Sequence, residues 1–266
     1  MKRIITLLSF CVLGTIVLGQ QESDTAKFTY RGKVITITND TAHVEKKSEK
    51  TTKEKSYKVE HWRGLEFGFN GYFMDNQFGY NNDPENIHME LDFGRSFVLN
   101  LNFAEFNKGF IGEKVRFMTG AGLRFNRYAF KNSRYTLNQN ETEVFGVKDS
   151  LRDFYKNFLN ATYVTVPLYL SLVPGKDPSQ SFHLSVGVIG SARIRSRIKQ
   201  RYILDGKKEK EITRDTYHLN PFMLDYSVRF GYGDFTAFAN YSATQLFEKG
   251  KGPEYYPFSF GVSWNF

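Results

Sequence analysis

The chain has a single cysteine, Cys11, and it falls inside the apolar run 4–18 that follows Lys2 and Arg3. That run is short for a membrane helix and is followed at once by polar chain, with small Val17 and Gly19 ahead of a cleavage point, so residues 1–19 read as a secretory signal peptide. Phe10 is too bulky for the small residue that lipoprotein processing wants before a cysteine, which leaves Cys11 as apolar filler of the leader. The mature chain is then expected to lack cysteine altogether, which excludes disulfides, a thiol nucleophile and a zinc site of the cysteine type. Long hydrophobic runs are also missing beyond residue 19, so a membrane protein of this sequence has to span by strands.

Positive charge is in modest excess. The formal charge of +8 includes Lys2 and Arg3, and without these two it falls to +6. The basic residues are interspersed with acids in a chain expected to be secreted, and nucleic acid is not an expected partner.

What the sequence has in quantity is aromatic residues and glycine, with 26 Phe, 16 Tyr and 22 Gly, the composition of a barrel wall and its aromatic girdles. Residues 20–61 differ from the rest. They hold one strand-like run, Lys33–Thr38, then a mixed-charge stretch without apolar period, expected to be a solvated periplasmic extension with a linker at about 41–60.

From Trp62 onward, apolar and polar residues alternate with a period of two, which puts one face of each strand toward hydrocarbon. The pattern recurs eight times, at about 62–73, 88–103, 115–130, 158–172, 181–202, 217–232, 234–244 and 256–266. Long gaps (74–87, 131–157, 203–216, 245–255) alternate with shorter ones, as surface loops alternate with periplasmic turns in an outer-membrane barrel. The expected fold is therefore all-β, an eight-stranded antiparallel transmembrane β-barrel over 62–266 with both termini on the periplasmic side. Its last stretch, YPFSFGVSWNF, carries Ser259, Gly261, Trp264 and Phe266 in an arrangement that resembles the end signal read by the barrel assembly machinery.

Candidate functional residues follow from the inward phase. In 181–202, strict alternation places Arg193, Arg195, Arg197, Lys199 and Arg201 on the face opposite Phe182, Leu184 and Val186. Two readings compete: an anion or lipopolysaccharide-phosphate site at the outer rim, or a charge network that plugs the lumen with Glu90, Asp92 and Asp225 as partners, lower down joined by Glu66 and Arg229. Small barrels fill their interiors with side chains, so the network is the expectation. Arg95 breaks the apolar face of 88–103, through a bulge at Gly94 or by reaching an interface.

Catalysis finds little support. His61, His88, His183 and His218 are spread over different levels, and His43 lies outside the barrel. No rim serine and histidine with an oxyanion site stand out, and KGKGPEYY (249–256) has no helix behind it to form a phosphate cradle. Gly112, Gly120 and Gly122 read as bends. No cofactor and no metal is expected, and an enzyme working at the extracellular rim is the alternative reading.

The segments WRGLEFGFNGYF (62–73), ATYVTVPLYL (161–170), GVIGSARIRSRIKQ (187–200), VRFGYGDFTAFANYS (228–242) and LFEKGKGPEYYPFSFGV (246–262) resemble the Bacteroidetes-type outer-membrane barrel proteins loosely called PorT-like. The resemblance covers 62–266. It implies an eight-stranded barrel in the outer membrane, in contact with its lipid, whose namesake members assist a dedicated protein-secretion system. It brings no catalytic residues. A non-catalytic envelope component, or an accessory to an envelope or secretion-system protein, is the function it implies.

Overall fold

A computed structural model describes residues 25–30, 33–38, 41–46, 61–74, 77–78, 84–111, 114–132, 134–175, 181–204 and 206–266. The expected signal peptide lies outside the described residues. The chain divides into two compact units, Met1–Ser56 and Tyr57–Phe266.

The first unit is a three-stranded antiparallel meander, β1 (Thr25–Tyr30), β2 (Lys33–Thr38) and β3 (Thr41–Lys46). Here the sequence reading needs correction, because only β2 was expected and Thr41–Lys46 was assigned to a linker. Four charged or polar positions in TAHVEK hide its period, yet Ala42 and Val44 stand opposite Ile37 and Ile35 of β2.

The second unit is a closed ring of eight antiparallel strands. Its wall consists of β4 (Gly64–Met74), β6 (Phe97–Ile111), β7 (Val115–Ala129), β10 (Asp153–Leu172), β11 (Phe182–Leu204), β13 (Phe222–Tyr232), β14 (Phe235–Ser242) and β15 (Tyr256–Asn265), while the two-residue β5 (Gln77–Phe78) pairs back on the end of β4. Each pairs with its sequential neighbour in the wall, and β15 closes on β4 through ten paired residues from Tyr256↔Phe73 to Asn265↔Gly64. Closure leaves no strand edge unpaired in the ring, the condition for a sheet to sit in hydrocarbon.

Alternation decides which face points where. Along β13 every second residue is buried, so Met223, Asp225, Ser227 and Arg229 point inward while Phe222, Leu224, Tyr226, Val228 and Phe230 are exposed. The same phase gives β4 an outer row of Leu65, Phe67 and Phe69 and β10 an outer row from Val164 to Leu172. Apolar residues outside and polar residues inside invert the pattern of a water-soluble core. Among the described residues no helix is long and apolar enough to cross a membrane.

Glycine is required at the closing seam. Gly68 of β4 and Gly261 of β15 stand opposite each other, and a Cβ on Gly261 would lie 2.2 Å from the Phe67 carbonyl oxygen and 2.4 Å from the Gly68 Cα. Neither contact can relax by turning a side chain, since both atoms are backbone.

The second wall strand departs from expectation. Residues 84–95 contain two 3₁₀ turns, Pro84–Met89 and Phe93–Arg95, and β6 begins only at Phe97, running on into the expected gap 104–114 as far as Ile111. Pro84 lacks an N–H and fixes φ for a turn, and Asp92 with Gly94 favours bends, so the alternation of Met89, Leu91 and Phe93 serves a buried cap and not a strand. Two expected loops also contain strands. The hairpin β8 (Tyr135–Gln139) and β9 (Val144–Lys148) lies within 131–157, and β12 (Lys207–Thr213), exposed along its whole length, extends the β11 edge beyond the wall. These additions stand at the end of the barrel that bears the long connections, here called the loop end; the opposite end, with the short connections, is the turn end.

Candidate functional site

Glu66 sits on the inward phase of β4 and Arg229 on that of β13, each 1% exposed, and Arg229 Nη1 donates to Glu66 Oε1 at 2.5 Å. The carboxylate is satisfied further by Asn102 Nδ2 at 2.8 Å on Oε1 and by Asn100 Nδ2 at 2.6 Å on Oε2, both from β6. The guanidinium also donates to the His61 carbonyl at 3.3 Å and lies 5.1 Å from the Trp62 ring. A buried pair held this way has its charges matched by geometry and both carboxylate oxygens bonded, while Arg229 Nε has no partner among the described residues.

Nearer the loop end a second pair fills the lumen, Arg124 of β7 with Asp225 of β13, both buried. Between the two pairs runs a hydroxyl chain in which Tyr169 donates to Ser227 Oγ at 2.6 Å, Ser227 to Asn240 Oδ1 at 2.5 Å, and Asn240 Nδ2 to Ser259 Oγ at 3.1 Å. A cavity beside Arg124 and Asp225 measures only about 10 Å³, at or below the room one water needs.

Both ends are stopped. At the loop end the 3₁₀ cap and the loops bring Met89, Leu91, Phe130, Leu219, Phe247 and Tyr255 into one apolar cluster. At the turn end the chain folds inward before β4, and the backbone N–H groups of His61, Trp62 and Arg63 all donate to the Glu105 carboxylate, at 3.3, 2.8 and 3.0 Å. Trp62 is thereby driven into the lumen against Met118, Tyr169 and Ile189. The His61 ring stacks on His183 at 3.8 Å between centroids, and burial with the nearby His183, Arg229 and Arg116 holds His61 down to a pKa of about 3.

The sequence-derived network is thus only partly assembled. Glu66 meets Arg229, but Asp225 takes Arg124, and Glu90 and Asp92 do not face the lumen row at all. Glu90 pairs with Lys131 at 2.5 Å and Asp92 with Arg95 at 3.5 Å, because both acids belong to the 3₁₀ cap. Arg95 reaches the Tyr155 carbonyl at 3.2 Å from the outer side of the loop end.

The arginine row changes face. Between β10 and β11 the register shifts at Thr162/Tyr163, where Thr162 pairs with Arg195 and Tyr163 with Arg193, leaving Ile194 as an extra residue. A bulge of one residue reverses the phase. Below it His183, Ser185, Ile189 and Ser191 are buried; above it Ser196, Ile198 and Gln200 are buried, and Arg195, Arg197, Lys199 and Arg201 stand on the outer face. Arg193, at the bulge, donates to the Thr216 carbonyl at 2.6 Å and to Ser196 Oγ at 3.1 Å. A second bulge at Phe103 of β6 turns Glu105 inward in the same way. Arg124 was legible as an inward position, two residues on from Gly122 in the phase of 115–130, and the sequence reading passed over it.

Beyond the barrel mouth, the β8–β9 hairpin and the β11–β12 hairpin enclose a cleft of about 630 Å³ lined by Gln139, Arg152, Gln200, Glu211 and His218. Tyr217 and His218 both take left-handed backbone angles, φ 49° and 45°, and burial pushes the Tyr217 phenol up to about 12. Ser259 and Gly261 of the expected assembly signal face the lumen and the seam, whereas Trp264 and Phe266 are exposed on the outer face 6.1 Å apart. Phe266 is tied to the first strand's approach by its N–H on the Arg63 carbonyl at 3.1 Å, and Arg63 Nε returns a bond to the Phe266 oxygen at 2.7 Å.

Among the described residues no group of three or more histidines, cysteines or carboxylates could hold a metal ion. Compared with known protein families and with curated proteins, the chain matches no family model and no curated sequence.

Proposed function

We propose that this chain is an outer-membrane barrel protein with a solid, non-conducting interior, which acts without catalysis as an envelope component or as an accessory to another envelope protein. The observation that carries the reading is the contrast between a lumen filled by Glu66–Arg229 and Arg124–Asp225 and an outer wall of exposed Phe, Leu and Val. Eight strands leave an interior just wide enough for side chains, and an apolar exterior belongs in lipid. In this reading the leader 1–19 delivers the chain across the inner membrane. The turn end and both termini face the periplasm, and the assembly machinery reads 256–266.

The likeness of 62–266 to PorT-like proteins supports a link to protein secretion, with a secretion-system or envelope protein as the partner. The histidines are not all on different levels as expected, since His61 and His183 stack at the turn end. Non-catalytic action is supported instead by their partners, because among the described residues neither ring is bonded to a carboxylate and His183 Nε2 meets only the Thr236 hydroxyl, at 2.8 Å.

Purified full-length protein in a planar bilayer is expected to give no steady conductance, and fractionated cells to yield it in the outer membrane with heat-modifiable migration on a gel. Uniform open channels, or recovery as a soluble periplasmic protein, would overturn the reading. A pull-down after mild extraction of outer membranes is expected to bring one large envelope partner reproducibly.

A further inference from the structure

We infer that the outer wall around β7, β10 and β11 holds a phosphate-bearing lipid of the outer leaflet, its phosphates on Arg127, Arg195 and Arg197 and its acyl chains on the apolar wall below. The inference rests on the outer-membrane reading above and adds a ligand to it.

The register of the wall strands arranges outward side chains in successive levels. One level is wholly apolar, Leu101–Leu123–Val164–Ala192 across β6, β7, β10 and β11. The next toward the loop end is mixed, Leu99–Phe125–Thr162–Arg195, and the one after it is Phe97–Arg127–Asn160–Arg197. Higher still, Phe158 pairs with Lys199 and Lys156 with Arg201, which also stands opposite Lys210 of β12. Over three levels the surface passes from hydrocarbon to a cluster of cations, as leaflet composition passes from acyl chains to phosphorylated headgroups.

The bulge at Ile194 creates this cluster, since unbroken alternation would have pointed Arg195 and Arg197 into the lumen. A groove of about 360 Å³ crosses the boundary, lined on the apolar side by Phe97, Leu99 and Phe125 and on the charged side by Arg127, Arg195 and Arg197. Arg127 is held in position rather than free to wander: its guanidinium lies 4.5 Å from the Phe97 ring and 4.9 Å from the Phe158 ring, and Nε donates to Asn160 Oδ1 at 3.3 Å.

Charge complementarity selects the occupant. Among the described residues none of these three arginines forms an ion pair with a carboxylate, whereas the interior arginines 124 and 229 both do. Arginine forks match phosphate oxygens in geometry, and several of them beside low-dielectric lipid favour a ligand with more than one negative charge. The adjoining apolar levels favour a ligand that also carries acyl chains, which selects a phosphorylated glycolipid of the outer leaflet over free phosphate.

The test uses the full chain in neutral detergent and in liposomes, with three probes: diphosphoryl lipid A, the same lipid after enzymatic dephosphorylation, and inorganic pyrophosphate. Native mass spectrometry and the thermal unfolding midpoint are the readouts. Diphosphoryl lipid A is expected to be retained and to raise the midpoint, the dephosphorylated lipid to bind weaker by about tenfold or more, and pyrophosphate to leave the midpoint unchanged at equal concentration. The variant Arg127→Ala with Arg195→Ala and Arg197→Ala should lose the phosphate preference while keeping heat-modifiable migration, and the triple Lys variant should recover part of it.

Equal retention of the two lipids, or an unchanged preference in the folded triple Ala variant, would overturn the inference and leave the membrane reading standing. Pyrophosphate displacing the lipid at equal concentration would make this a free-anion site and overturn it as well. Failure of the wild type to enter liposomes at all would remove both. If the triple variant does not fold, the comparison of phosphorylated with dephosphorylated lipid on the wild type still decides.

Discussion

Glu66 and Arg229 are 163 residues apart in sequence and meet at 2.5 Å in the lumen toward the turn end, both closed off from solvent. Strands β4 and β13 are not neighbours in the ring, so this contact crosses the lumen instead of running along the wall. It works as a strut as well as a plug. Removing one partner strands a buried charge, at a cost of about 3–5 kcal/mol, whereas replacing both by apolar residues of similar volume is close to neutral. Glu66→Leu or Arg229→Met alone should therefore lower the urea midpoint of the folded barrel in lipid vesicles strongly, and the double variant should recover most of it. Additive losses in the double-mutant cycle would show that the two groups are not coupled.

The acids at the loop end should behave differently. Glu90 pairs with a largely exposed Lys131, and Asp92 with Arg95, itself exposed. Such pairs contribute about 0–1 kcal/mol. Glu90→Ala with Asp92→Ala is expected to shift the unfolding midpoint little, and Asp225→Asn, which deprives the buried Arg124, to shift it by several times as much. A loss from the Glu90 and Asp92 change as large as that from Asp225→Asn would restore them to the interior network.

These two cases mark where the sequence was readable. Strict alternation counted eight wall strands, although the second starts at Phe97 and not at 88, and it paired Glu66 with Arg229 because both lie on stretches where the period is unbroken. It failed wherever one residue was inserted. The bulge at Ile194 carried Arg195 and Arg197 to the outer face, and that at Phe103 carried Glu105 to the inner one. A bulge costs one unpaired residue and leaves no mark in composition, so an alternating pattern on both sides of it reads as a single strand. Met89 and Leu91 misled for another reason, since a 3₁₀ cap buried beneath loops also wants apolar residues at short spacing. Trp62 fitted the first strand by type, and only the grip of Glu105 on three successive N–H groups turns it into the lumen.

The seam offers a prediction about assembly. A Cβ on Gly261 would meet backbone of β4 at 2.2 Å, whereas one on Gly190 of β11 would have its nearest contact, the Val166 oxygen, at 3.8 Å. Gly261→Ala should therefore obstruct the closure of β15 on β4 and abolish the heat-modifiable folded form, while Gly190→Ala should leave it intact. Normal folding of the Gly261 variant would mean that the seam can open by more than a side chain's width.

The turn-end stopper should be sensitive to acid. His61 precedes the first wall strand, its ring faces His183 of β11, Arg229 of β13 and Arg116 of β7, and neither ring nitrogen has a hydrogen-bond partner among the described residues. Among the described residues the Glu105 carboxylate of β6 accepts the backbone N–H groups of this segment and not the ring, and the Glu66 carboxylate of β4 is taken by Arg229. The folded chain thus holds His61 neutral down to about pH 3, while the unfolded chain protonates it near the ordinary value of 6.5. Above pH 6.5 neither state carries the proton and the stability is fully present. As pH falls below 6.5 the unfolded state gains a proton that the folded state refuses, and stability declines by up to about 1.4 kcal/mol per pH unit for this one group. Urea unfolding at about pH 8, 6.5 and 5, a range kept above ordinary carboxylate titration, should show a decline on the acid side that His61→Phe reduces, since the phenyl ring keeps the stack and cannot titrate. A stability difference between wild type and His61→Phe that stays constant across this range would show that His61 takes up its proton as readily folded as unfolded, and that the stopper is indifferent to acid.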